Sequence, residues 1–347
     1  MEREFIINHA NELAYKTYSY LRVNEKKLDL GQWSFEKQKE VKNPDFLKNY
    51  SYGLSKEVCD LHKEHTNLYE VYKSDEILDF GVKDRQNQDV LVETVDFLVE
   101  EKADLQGFIS TRQKAGSFHS SMYRIHVKKD AHAKIYLSNH AEKGTTSLIS
   151  LAIVLEEGAK LELFHYQMGH GDLVMNVAEY LQGQHSEGKI HSMYLGMDSQ
   201  NLDFLYDIIH EGKMSVSDLQ VNGALMENAF KVFKSRLDFM QKSSGSVGNE
   251  EEYAILLDDT AKSLSVPSLL SHEDDVEGNH AASAGHIDPR LLYYIMSRGF
   301  SEEEAERLVI DSRFAPTIDA IVYEEKRQEL YEELQTILEA RHNVQSK

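Results

Sequence analysis

The chain has 347 residues, 41% of them hydrophobic and only four of them proline, enough to bury a sizeable core in two or three structural parts. Its net charge of −21, from 59 acidic against 38 basic residues, comes without any run of Lys or Arg on one face; this argues against nucleic acid and anionic membranes as partners. A single cysteine, Cys59, excludes an internal disulfide and any metal site made of this chain's cysteines alone.

The opening stretch MEREFIINHANEL has neither a basic leader nor an apolar signal core, and no later stretch approaches eighteen apolar residues, so the expected location is the cytoplasm. Residues 1–85 read as a helical N-terminal domain. Its clearest piece is Leu54, Val58, Leu61, His65, Leu68 and Tyr72, an apolar seam with steps of 4, 3, 4, 3 and 4. Cys59 beside that seam fits a half-buried structural thiol, and His62 with His65 lacks a third ligand for a metal.

From about residue 90 the apolar period falls to two, as in Phe97-Leu98-Val99 and Ile135-Tyr136-Leu137, which predicts strands. Three segments align, each with an apolar residue, two charged residues, a turn position (Lys102, Asp130, Gly158) and an alanine; the alanines Ala103, Ala131 and Ala159 are 28 residues apart both times. A fixed step of short strands and tight turns predicts a stacked β-solenoid over 86–270, because each coil can bury its inner face only against its neighbours. A jelly roll or cupin barrel is the alternative. After Glu179 the register blurs, and Ser243 to Gly248 reads as a long turn between coils rather than a linker, since strand residues resume at Tyr253 to Leu257.

Several chemistries fit poorly. Gly183 to Lys189 nearly spells a phosphate-binding loop, but Ile190 stands where the magnesium-binding hydroxyl belongs and no strand-to-helix context surrounds it. Nine of sixteen histidines lie between His119 and His210 without an HxH or HExxH pattern, as expected of hydrogen-bonded or exposed strand histidines. A polysaccharide-cleaving β-helix enzyme would need a carboxylate constellation, and Glu273, Asp274 and Asp275, adjacent on a strand, would point to opposite faces.

The chain is densest in chemistry from Pro267 to Gly299, which leads into a C-terminal helical part over 271–347. Asp288 caps a helix with Pro289 at its first position, running through Leu291, Leu292 and Ile295 to a stop at Gly299. Ser301 with Glu304 is a capping box for a second helix bearing Ala305, Leu308 and Val309. A last amphipathic run carries Leu330, Leu334, Ile337 and Arg341.

The same stretch resembles the closing signature of the SufB/SufD family, scaffold subunits of iron–sulfur cluster assembly, through Asp274-Asp275-Val276, His280-Ala281-Ala282, Gly285, Ile287-Asp288 and Ser297-Arg298-Gly299. The resemblance implies a mainly β fold, a parallel β-helix core between N-terminal and C-terminal helical domains, and a non-catalytic scaffold. It implies that His280 lies at the contact with a SufB-like paralogue, where it serves as an iron ligand or proton carrier shared with that chain, or merely packs the interface. Glu273, Asp274, Asp275 and His286 join it as interface candidates. Leu292, Tyr293, Tyr294, Ile295 and Arg298 are the candidates for docking a SufC-like ABC-type ATPase. No cofactor is expected on the chain alone; a transient Fe–S cluster is expected in the complex, its thiolates supplied by another chain. Two residues depart from the pattern: many relatives carry Cys where this chain has Gly278, and SufB-like members carry Glu where it has Ala281, which favours a SufD-like identity. A SufB-like homodimer is the alternative within the family, and a cytosolic β-solenoid carbohydrate-active enzyme the alternative outside it.

Overall fold

The computed structural model describes residues 5–17, 19–36, 46–50, 54–86 and 88–345; the first four residues of the opening stretch lie outside these. An antiparallel pair, β1 (Ile6–Ala10) and β2 (Lys26–Asp29), and the helix α1 (Lys56–His65) precede sixteen strands wound into a parallel solenoid. The odd-numbered sheet stacks β3 (Leu68–Ser74), β5 (Val90–Val99), β7 (Phe118–Val127), β9 (Thr146–Leu155), β11 (Asp172–Leu181), β13 (Asn201–His210), β15 (Phe230–Phe239) and β17 (Lys262–Ser271). The even-numbered sheet stacks β4 (Ile77–Gln86), β6 (Asp104–Gln113), β8 (His132–Ala141), β10 (Lys160–Gly169), β12 (Glu187–Gly196), β14 (Val216–Leu225), β16 (Ser246–Leu256) and β18 (Val276–Gly285). Three helices follow, α2 (Pro289–Met296), α3 (Glu302–Asp319) and α4 (Glu324–Gln345). The expected mainly β solenoid with helices toward its ends is what the chain forms, not a closed barrel.

The repeat has a visible cause. Ala103, Ala131 and Ala159 are buried corner residues, and the turn residues before them, Lys102, Asp130 and Gly158, all take positive φ. Each turn N–H donates to a carbonyl one coil on: Lys102 to Lys129, Asp130 to Glu157 and Gly158 to Gln184, at 2.9–3.0 Å. The ladder continues through His185, Met214 and Gly245, whose N–H groups reach Lys213, Ser244 and Asp275. Side chains on alternate positions of both sheets then meet in one lumen, with Phe97, Ile125, Ile153, Ile135 and Leu163 fully or almost fully buried there.

The solenoid is longer than the sequence suggests at both ends. Strands begin at Leu68 rather than near residue 90, and β18 carries the coil past residue 270. The apolar seam read as one helix divides: Val58 and Leu61 are buried on α1, whereas Leu68 and Tyr72 belong to β3. Asn67 makes the break, its side chain bonding the Val90 carbonyl and the Val92 N–H and so drawing the chain into the sheet. Of residues 1–85, then, only α1 is α-helix among those described.

Both outer faces are covered. The N-terminal segment lays Ile7, Leu30, Leu54, Val58 and Leu61 on Val92, Phe118, Leu148 and Val174. Helices α3 and α4 lay Ile310, Phe314, Ile318, Leu330, Leu334 and Leu338 on Phe108, Tyr136, Tyr166, Met193 and Leu195 of the even sheet. Helix α4 runs along the stack: Lys326 pairs with Asp84 of β4, Glu329 and Glu333 with Arg112 of β6, and Arg341 with Asp258 beyond β16. No helix of the described residues is long and apolar enough to cross a membrane.

Candidate functional site at the open end of the solenoid

The last coil consists of β17 and β18, and each pairs on one side only. Every residue from Asn279 to Ala284 is exposed, and the strand composition is small: Gly278, Ala281, Ala282, Ser283, Ala284 and Gly285. The register sets His280 beside Glu250 and Ala282 beside Glu252. Because Glu250 and Glu252 are buried lumen positions, the parallel pleat puts His280 and Ala282 on the same inner row. His280 therefore stands at the mouth of the lumen, with no hydrogen bond or ion pair among the described residues.

Below it the lumen is polar. Glu252 accepts from the buried Lys231 ammonium at 2.6 Å and from the Ser265 hydroxyl at 2.9 Å, and the Tyr194 hydroxyl lies 3.3 Å away. Burial lowers the Lys231 pKa against the pull of Glu252. Glu250 accepts from the Ser235 hydroxyl and makes no ion pair among the described residues; burial pushes its carboxyl up to about 7 against the Ser235 bond, with Glu252 adding to the rise. No sequence signal marks Glu250, which lies thirty residues before His280 and meets it only through the coil register.

The other candidates are spread along the same end. Glu273, Asp274 and Asp275 lie in the turn before β18. Glu273 accepts the Lys242 N–H at 3.0 Å, and Asp275 accepts the Ser244 hydroxyl at 2.8 Å and, through its carbonyl, the Gly245 N–H. These carboxylates close the turn ladder. Asp275 is five strand positions from His280, about 16 Å along the strand, so the acidic group and the histidine do not form one site. His286 sits beyond β18, its ring 3.5 Å from Asp259. Gly278 is constrained: a Cβ there would lie 2.6 Å from a Leu269 methyl and 2.9 Å from the Phe239 ring, so a cysteine at this position would require the lumen to shift.

Helix α2 starts as its sequence dictates, the Arg290 N–H bonding the Asp288 carboxylate with Pro289 at the first position, and it stops before Gly299 at φ +100°. The Ser301–Glu304 capping box forms with both bonds present. Leu292 packs against the helix core, Ile295 is half-buried, and Tyr293 and Tyr294 are 75% and 56% exposed. Arg298 folds back over the Tyr294 ring at 5.0 Å. With Leu291, Met296 and Phe300, also exposed, they leave an apolar, aromatic face next to the open coil.

Three buried histidines and the cysteine are held within the fold. His62 is buried between the Thr94 and Ser120 hydroxyls, and burial drops its pKa to about 3. His165 bonds Ser192, and His210 bonds Ser215 and Ser217. Burial raises the pKa of the Cys59 thiol, on α1. Gly183 to Lys189 form a coil turn and the start of β12, with no helix to cradle a phosphate. Among the described residues, ligand atoms of three metal-binding side chains converge only at exposed His9, Glu12 and Glu25, where the Lys16 ammonium already lies 3.0 Å from Glu12.

A parallel solenoid whose last coil carries the DDV and HAA segments on an open edge matches one family model, SUF system FeS cluster assembly, SufBD core domain, over residues 82–313. The chain belongs to the SufBD family. Relatives include the iron–sulfur cluster assembly protein SufD of Bacillus subtilis, 33% identical over 172 residues, which are 50% of this chain and 39% of that protein. The iron–sulfur cluster assembly protein SufB of the same organism is 24% identical over 216 residues, 61% of this chain and 46% of that protein. A SufBD family protein of Mycobacterium leprae is 23% identical over 206 residues, 59% of this chain and 24% of that protein. The chain thus spans less than half the length of each of these SufBD relatives.

Proposed function

We propose that this SufBD chain is a SufD-type, non-catalytic scaffold subunit that assembles Fe–S clusters together with a SufB-like paralogue and an ABC-type ATPase in the cytoplasm. The observation that carries this reading is His280, unpartnered on the inner row of an open terminal coil, where a second solenoid stacking on β17 and β18 would bring its own donors to the same place. Iron–sulfur clusters require several thiolates. The sole cysteine is on α1 near β5, six strand spacings or about 29 Å down the stack from β17. The partner must therefore supply the sulfur ligands, and this chain contributes an imidazole. The cluster is cargo here and is not retained by the chain alone. The face of Tyr293, Tyr294 and Arg298 beside that coil suits the ATPase, so that movement of the ATPase would bear directly on the mouth of the lumen. Glu273 and Asp275 keep a supporting role, since they fix the turn from which β18 departs.

Coexpression with a SufB-like chain and the ATPase tests this. The three should co-purify, and His280→Ala should leave the complex intact while lowering the yield of reconstituted cluster. Wild-type cluster yield from His280→Ala, or a chain that binds neither protein, would overturn the reading.

A further inference from the structure

We propose that Glu250 is a second metal donor at the mouth of the lumen, its carboxylate sharing one ferrous ion with the His280 imidazole. This rests on the reading of His280 as a cluster-assembly residue and adds a site residue that the sequence does not flag.

Three observations carry it. First, Glu250 and His280 are register partners on adjacent parallel strands, β16 and β18, and so lie side by side on one face about 4.8 Å apart at the backbone. Second, Glu250 is 3% exposed and, among the described residues, bonds only the Ser235 hydroxyl. Among the described residues, the buried Lys231 ammonium directs its bonds to Glu252 and Ser265, and that of Lys234 to Asp203 and Asn11. A buried carboxylate without a cation is costly, and a metal ion entering from the mouth would relieve that cost. Third, no hydrogen bond or ion pair joins Glu250 to His280 among the described residues, which leaves both able to turn toward a common ion above the Ser235 anchor.

Carboxylate and neutral imidazole together suit ferrous iron, which accepts mixed oxygen and nitrogen donors. Two donors do not complete a coordination sphere. The remaining positions face out of the open coil, toward whatever stacks on β17 and β18, and the site is incomplete without the second chain. Ser235, from the opposite sheet, orients the carboxylate in the manner of an outer-shell hydrogen bond.

The test uses the complex of this chain with its SufB-like partner and ATPase, purified without oxygen and titrated with ferrous iron by calorimetry, with manganous ion as an EPR probe of the same site. Glu250→Gln keeps the side-chain volume and the Ser235 contact, so the complex should elute unchanged while ferrous iron binds about tenfold or more weakly. Wild-type affinity in Glu250→Gln, with affinity lost in His280→Ala, would overturn this inference and leave the His280 reading standing; wild-type affinity in both would overturn the two together. Should Glu250→Gln not assemble, Glu250→Asp keeps the charge but withdraws the oxygen atoms, and wild-type affinity in that variant would equally overturn the proposal.

Discussion

The two ends of the solenoid are built on opposite principles. At the first coil β3 is only seven residues long, and β4 carries a bulge between Asp79 and Val82 with Gly81 at φ +68°. Tyr72 stacks on Phe80 at 4.2 Å, and behind these rings Arg85 pairs with Glu70 and with the fully buried Glu93. Burial alone would raise the Glu93 carboxyl, but hydrogen bonds from His119 and Ser121 and the charge of Arg85 outweigh it and hold it at about 2. Short, bulged, charged strands resist pairing with other chains. The last coil is built differently: two regular ten-residue strands without a bulge, whose inner rows carry Ser263, Ser265, Pro267 and Leu269 on β17 and Gly278, His280, Ala282 and Ala284 on β18, with no Asp, Glu, Lys or Arg among them. One end is guarded, and the other leaves the edges of β17 and β18 unpaired.

The largest test of that contrast is Arg85→Ala. It leaves Glu93 buried without its cation and should cost about 3–5 kcal/mol, read as a lower urea midpoint. Next comes the middle of the lumen, where Glu179 is fully buried with neither oxygen bonded among the described residues, and burial pushes its carboxyl up to about 8. The folded chain then holds a proton that the unfolded chain releases, so stability falls as pH rises from the ordinary carboxylate range toward 8. Glu179→Gln should remove that slope and stabilise the chain at pH 8 by on the order of a few kcal/mol, with little change at pH 4.5. The smallest expected effect on stability is at the open end: Ala282→Lys should change it by less than about 0.5 kcal/mol, yet size-exclusion chromatography should show pairing with the SufB-like chain abolished. If that lysine destabilised the isolated chain as much as Arg85→Ala, the two ends would not differ as described.

The repeat was legible where a local rule repeats. Ala103, Ala131 and Ala159 recur because the corner admits only a small side chain and the turn before it has one conformation. The register blurs once coil length drifts: the step is 28 from Asp104 to His132 and from His132 to Lys160, then 27 to Glu187, 29 to Val216 and 31 to Val247. The turn residue itself varies throughout, from Lys102, Asp130 and Gly158 to His185, Met214 and Gly245, all at positive φ and joined by the stacked hydrogen bonds, so no consistent glycine signal marks the later coils where the step drifts. Leu68 and Tyr72 misled because a step of four fits both a helix and a strand, and only Asn67's bonds to the neighbouring strand decide between them. His280 was legible through its motif. Its juxtaposition with Glu250 was not, since a thirty-residue separation becomes contact only when coil length is known.

Helix α4 lies along the stack, and its lysine and the tyrosine just before it, Lys326 and Tyr323, bond Asp84 and Asp79 of the first coil. During translation the ribosome makes Lys326 some 242 residues after Asp84, a delay of roughly 10 to 50 seconds at ordinary elongation rates. Until then the aromatic strip of Phe108, Tyr136 and Tyr166 has no cover, so a nascent chain of this design must wait in a partly naked form and would benefit from a chaperone during that interval.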